Sequence, residues 1–177
     1  MLSKIENNTS TCNKGHSGLN FIAVIFAIMV LCMGFLDLTN LVRLRSVAIR
    51  QVSEISQAII EQGGIQKNVP DDWKHFFGNN CTNYMTTKQV KDRTDKILRT
   101  TNAQAVKLMF KTDGSTDEKN IANGSACKLA WNQTGTLTIK IDYYLDYLKS
   151  CKLVKTKFTS TVSEDVTGYW IDKTHKV

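Results

Sequence analysis

The sequence predicts an α+β protein: one long N-terminal helix rooted in a membrane, followed by a small antiparallel β-sheet domain. Three observations carry this. An apolar run from Phe21 to Leu36 continues without a break into an amphipathic segment that reaches the paired glycines Gly63-Gly64. The single proline of the chain is Pro70, so no proline kinks or ends that stretch. Beyond Asn102 the hydrophobic period changes from helical to two, the signature of half-buried strands.

Taken as one helix from Asn20 to Glu61, the stretch is roughly 60 Å long at about 1.5 Å per residue. Its first half is apolar on every side. In its second half Leu38, Leu41, Leu44, Ala48, Val52, Ile55 and Ile59 recur at helical spacing, with Asn40, Arg43, Arg50, Gln57 and Glu61 on other faces. The stripe is expected to pack partly on the protein's own sheet and, lower down, against partner stalks. Gly63-Gly64 supplies the stop.

The residues ahead of the apolar run, Met1 to Lys14, are polar and read as a leader or tail. The run lacks a clean small-x-small cleavage site, and Leu31 before Cys32 does not suit a lipoprotein signal. A retained single-pass anchor fits best, although Phe21 to Leu36 falls short of the roughly twenty residues that span a bilayer comfortably. Three segments follow: a leader over 1–15, a transmembrane and amphipathic helix over 16–62, and an exported α+β domain over 65–177.

Within the domain, Asp71-Asp72-Trp73 after Pro70 reads as a short helical turn, and Thr87 as the cap of a helix ending near Leu98. Val106, Leu108 and Phe110 alternate with polar neighbours as a strand, and Asp113 to Asn123 reads as a polar loop. Cys127, Leu129 and Trp131 alternate ahead of a hairpin turn at Asn132-Gln133-Thr134-Gly135. Thr136 to Tyr144 is the clearest strand, with Leu137, Ile139, Ile141 and Tyr143 on one face. Lys155 to Val162 and Val166 to Ile171 are weaker ones.

With 177 residues, 42% hydrophobic content and a net charge of +7, the chain holds one membrane segment and one small domain. Its cations are scattered rather than gathered into a stripe with stacking aromatics, which argues against a nucleic-acid partner and fits ordinary solvation, with membrane lipid as an anionic partner. No phosphate loop, nucleophile elbow or metal spacing occurs, and His16, His75 and His175 are far apart. No enzyme activity, cofactor or metal is therefore expected. The loop from Asp113 to Glu118 has oxygens for calcium but not the full ligand pattern, so turn chemistry is its expected role. The tyrosines of Asp142-Tyr143-Tyr144 and Asp146-Tyr147 are expected to straddle core and rim. Of five cysteines, Cys12 and Cys32 fall in the leader and the apolar run. Two of Cys81, Cys127 and Cys151 are expected to form one disulfide, in a pair the sequence does not choose.

Around the apolar run the chain resembles the TadE/TadF-type minor pseudopilins of tight-adherence (Flp-type) pilus systems. Lys14 and Gly15 match the end of a prepilin leader, with His16 as the first mature residue. Asn20 then falls where the family carries Glu, Phe21 matches its common aromatic, and Gly34 and Asp37 match the small and acidic residues that follow. The resemblance covers about the first third of the chain. It implies a pilin-like fold, cleavage by a prepilin peptidase between Gly15 and His16, and assembly roles for Asn20, Phe21 and Asp37. It also implies other pilins or pseudopilins and the inner-membrane assembly machinery as partners. Asn20 offers a neighbour only a neutral hydrogen bond in place of Glu, which suits a minor or initiating subunit. Asp37 has no cation at i+3 or i+4, so it is expected either to mark the membrane surface or to pair with an intermolecular partner.

The same resemblance places the C-terminal domain outside the inner membrane, in the periplasm or beyond. Arg43, Arg45 and Arg50, close behind the span, point the other way under the positive-inside rule. The alternative function class is a single-pass type II membrane glycoprotein acting as a receptor or ligand. It is motivated by the Asn-x-Ser/Thr sites at Asn7, Asn8, Asn80, Asn123 and Asn132.

Overall fold

The structure is a computed structural model; it describes residues 10–77, 83–154 and 156–168. Helix α1 (Ser10–Gln62) is followed by strand β1 (Gly64–Ile65), helices α2 (Asp71–Phe77) and α3 (Thr87–Thr100), and strands β2 (Ala103–Thr112) and β3 (Glu118–Asn120). A 3₁₀ turn (Ile121–Asn123) leads to strands β4 (Cys127–Lys128) and β5 (Thr134–Tyr144), helix α4 (Asp146–Ser150) and strand β6 (Lys157–Thr167). The α+β arrangement read from the sequence is the one observed.

A helix this long forms because no Pro or internal run of turn residues breaks the ladder, and the upper half finds a surface to cover. Leu44, Ala48, Val52, Ile55 and Ile59 are buried, packed with the inner face of a four-stranded antiparallel sheet in the order β3-β2-β5-β6. Leu108 and Phe110 of β2, Leu137, Ile139 and Ile141 of β5, and Val166 of β6 complete that core. Each such side chain contributes about 1.5–3 kcal/mol through removal of apolar surface from water. Helix α3 closes the domain through Val90 and Ile97, and Glu54 ties it to α1 by accepting from both Arg93 and Arg50.

Several local expectations need correction. The helical backbone begins at Ser10, ahead of the Asn20 start read from the sequence. Leu38 lies outside the buried stripe, which begins at half-buried Leu41. The cap of α3 is Thr86, not Thr87: its hydroxyl accepts from the Gln89 N–H while the Gln89 side chain accepts from the Thr86 N–H, a full capping box. Residues 113–123 are not a plain loop, since β3 pairs with β2 there. Strand β4 does not form a hairpin with β5; it pairs with β1, Ile65 opposite Cys127, while Trp131 and Asn132 turn the chain. The two weak strand candidates are one strand, β6, in continuous register with β5 from Tyr144↔Lys157 to Thr134↔Thr167. Their outer ends, Lys155 and 169–171, lie outside the described residues.

The end of α1 is set by backbone geometry. Gly63 and Gly64 have φ of 70° and 132°, a region disfavoured for L side chains. A Cβ on Gly64 would also stand 2.3 Å from the Cys127 carbonyl oxygen. The two glycines let the helix stop and drop directly into the β1–β4 ladder, with the Leu129 N–H donating to the Gly63 carbonyl at 2.9 Å.

Candidate functional site

Two features of α1 stand out once the sheet is in place: an acidic residue buried where the domain meets the apolar run, and an apolar flank that none of the described residues covers. From Gly18 the helix is apolar and long enough to cross a membrane, and among the described residues nothing buries its apolar window. Asn20 and Phe21 are exposed there, about 25 Å along the axis from Asp37, so the assembly residues do not form one cluster. Gly15 and His16 fall within the helical backbone, in a stretch whose side chains are not described.

Asp37 is only 3% exposed. Its carboxylate accepts the Tyr147 N–H at 3.2 Å and the Leu148 N–H at 3.0 Å, the first free amides of α4. Within the chain Asp37 thus has partners of its own. Spacing along one helix could exclude Arg43 and Arg45, but it could not reveal amides more than a hundred residues further along the chain. A carboxylate at the end of an apolar run is costly unless it is satisfied. Here it is satisfied internally, and the same contact fixes α4 to the foot of the domain.

Beside it lies a cavity of about 90 Å³, bounded by Leu41 and Leu44 of α1, Thr101 beyond α3, Tyr143 of β5 and Asp146 of α4. The tyrosines divide as their neighbours dictate. Tyr143 is buried and stacks on Phe158, with ring centroids 5.8 Å apart, and burial pushes its hydroxyl up. Tyr144 lies under the Lys149 ammonium, 3.7 Å from its ring centre, and Tyr147 is exposed. On the outer face of the sheet, the Lys157 ammonium and then the Thr159 hydroxyl hold the Asp142 carboxyl below its ordinary value.

Of the three pairings left open, the geometry rules out Cys127–Cys151. Cys127 and Cys151 carry free thiols, and Cys81 lies outside the described residues. Cys151 Sγ sits 3.2 Å from Met33 Sδ, whereas Cys127 pairs with Ile65. Met33 and Gln62 are roughly 44 Å apart along α1, far beyond the ~7 Å between Cα atoms that a disulfide tolerates. Burial pushes the Cys127 thiol up to about 11. Burial also pushes the neighbouring Tyr84 hydroxyl up to about 12.

Asp113 accepts from the Thr134 hydroxyl, and Ser115 N–H closes a turn on Thr112, so this loop has turn chemistry of its own. Among the described residues no three His, Cys, Asp or Glu side chains converge as metal ligands would.

The uncovered flank begins just above Asp37. Leu38, Val42 and Ile49 are 55%, 62% and 50% exposed. At 100° per residue they cluster about a quarter-turn from the buried stripe. They continue a series that includes Phe21, Val24, Ile28, Leu31 and Phe35, in alternating steps of three and four, with Arg45 filling the place before Ile49. That period of 3.5 was readable in the sequence, but the stronger sheet-facing stripe overlaps it and claimed Leu38.

No protein family model, no curated protein and no solved structure matches this chain.

Proposed function

We propose that the protein is a minor pseudopilin-like subunit that acts in assembly or initiation of a Tad/Flp-type pilus. In this reading α1 holds it in the inner membrane as a single-pass anchor, the β-domain stands on the outer side, and the stalk lies beside other pilin or pseudopilin stalks. The observation that carries the reading is the uncovered seam on α1. A 3.5-residue apolar period favours left-handed packing of helix on helix. Here it runs from the membrane segment past Asp37 to Ile49, where lipid no longer accounts for exposed Val42 and Ile49. Stalks rooted in one membrane lie parallel, and Arg45 within the seam would set their register, as a lone polar seam residue does in coiled coils.

The test is a double substitution, Leu38→Glu with Val42→Glu, in the native host. Both sites are exposed, so thermal unfolding of the purified chain should be unchanged within about 0.5 kcal/mol. Co-purification with other stalk subunits and pilus assembly should both fall. Wild-type assembly in that variant overturns the reading. Processing adds an independent arm: mature protein should begin at His16, and Gly15→Val should block the cut.

The second reading, a type II membrane glycoprotein acting as a receptor or ligand, draws on the exposure of Asn123 and Asn132. It requires an intact N-terminus and glycan at those residues. Asn7, Asn8 and Asn80 lie outside the described residues. N-terminal sequencing and intact mass separate the two.

A further inference from the structure

The segment from Tyr147 to Leu153 lies at the level of the membrane helix, not above it. Cys151 touches Met33, which is three residues inside the end of the apolar run, or about 4.5 Å below it along the axis. Leu153 is two residues further on and therefore within about 7 Å of Cys151 along the chain. The turn is compact, since Leu153 N–H and Val154 N–H both donate to the Leu148 carbonyl. Asp37 holds it there through the two α4 amides.

What the turn shows to its surroundings is apolar and basic. Leu153 is 48% exposed, Tyr147, Cys151 and Lys152 are exposed beside it, and the Lys149 ammonium lies over the Tyr144 ring. An exposed Leu and Tyr with two lysines, level with the last turn of an apolar span, match the layers of a bilayer surface: aromatic and aliphatic groups at the acyl boundary, cations among anionic headgroups. The span is also short. Sixteen residues from Phe21 to Leu36 give about 24 Å against a hydrocarbon core of about 30 Å, and a short span draws its flanking groups toward the membrane.

We infer that the turn 147–153 is a second membrane contact, a foot that seats in an anionic lipid surface and fixes the tilt of the domain above the span. This rests on the reading of α1 as a membrane anchor. Continuity with that anchor selects lipid as the occupant: the residues at this level face the same medium as exposed Phe35 and Leu36.

The experiment uses the full chain reconstituted in phosphatidylcholine vesicles containing phosphatidylglycerol and a phospholipid with a diazirine in its upper acyl chain. After illumination, adducts are mapped by peptide mass spectrometry. Adducts are expected on Phe21–Leu36 and on Tyr147–Leu153, and none on the Thr159–Asp165 stretch of β6. Leu153→Glu should cut the adducts on 147–153 several-fold and leave those on the span unchanged. Labelling of the span without labelling of 147–153 overturns the foot and leaves the anchor standing. Absence of label from the span overturns both. Chain-to-chain cross-links at 147–153 in place of lipid adducts assign the patch to a second copy and overturn the lipid contact.

Discussion

Asp142 shows how a single side chain on an exposed sheet face makes stability depend on pH. Lys157 and Thr159 hold its carboxyl below the ordinary value, so the folded chain binds a proton there less readily than the unfolded one. The resulting stability is fully present above the unfolded value near 3.9 and is lost as pH falls through the lower folded value. Asp142→Asn should therefore lower stability at neutral pH by at most about 1 kcal/mol, given the exposed lysine partner, and flatten the acid limb of a denaturation curve below about pH 4. An acid limb identical to wild type would remove Asp142 from the account. Cys127 makes the opposite case. Buried, with its thiol pushed up to about 11, it offers almost no thiolate at neutral pH. It should resist a maleimide in the folded protein in detergent and react promptly after unfolding. Rapid labelling of the native chain, located by peptide mapping, would contradict the packing of β4 on β1.

At the scale of elements, two contacts made far along the chain decide how α1 is used. Its upper end depends on Gly64, where an added methyl meets the Cys127 carbonyl in a disfavoured backbone region. Gly64→Ala should cost at least about 2 kcal/mol, read as a lowered denaturation midpoint at unchanged slope. Its middle depends on Asp37, whose two bonds to amides of α4 are of the charge-assisted kind, about 1.5–3 kcal/mol each. Asp37→Ala should leave the sheet core folded while amide exchange at Tyr147 and Leu148 accelerates. Unchanged exchange at those two amides would mean that α4 holds its place without the carboxylate. These contacts also mark what the sequence made legible. The helix, the β5 strand and the buried stripe above Leu38 could be read because hydrophobic period reports which face meets a core. The partner of Asp37 and the β1–β4 ladder could not. Each depends on which backbone groups meet across long separations, and no local period encodes that. Of the candidate site, the residues along α1 were visible and their partners were not. The exposed series through Leu38, Val42 and Ile49 was present in the spacing but hidden beneath the stronger sheet-facing pattern.

For the whole molecule the deciding quantity is which side of the membrane the β-domain occupies. The cations near the span are unevenly placed: Lys4 and Lys14 precede it, while Arg43, Arg45 and Arg50 follow. The fold adds Lys149 and Lys152 at the same level as the end of the apolar run, which strengthens the positive bias of the domain side. Two considerations reduce its weight. Arg50 is paired with Glu54 at 2.8 Å, and Lys149 is engaged with the Tyr144 ring. The positive-inside rule also applies to short loops, while long translocated domains cross largely regardless of charge, and this domain runs for more than a hundred residues beyond Gly64. In the proposed orientation the basic foot would meet anionic headgroups of the outer leaflet. The expected outcome is that protease added to intact spheroplasts removes the domain and leaves a protected fragment containing Phe21–Leu36. Resistance in intact spheroplasts with digestion after lysis would place the domain in the cytoplasm. It would also remove the pseudopilin reading, because a stalk subunit cannot join an external filament with its β-domain on the inner side.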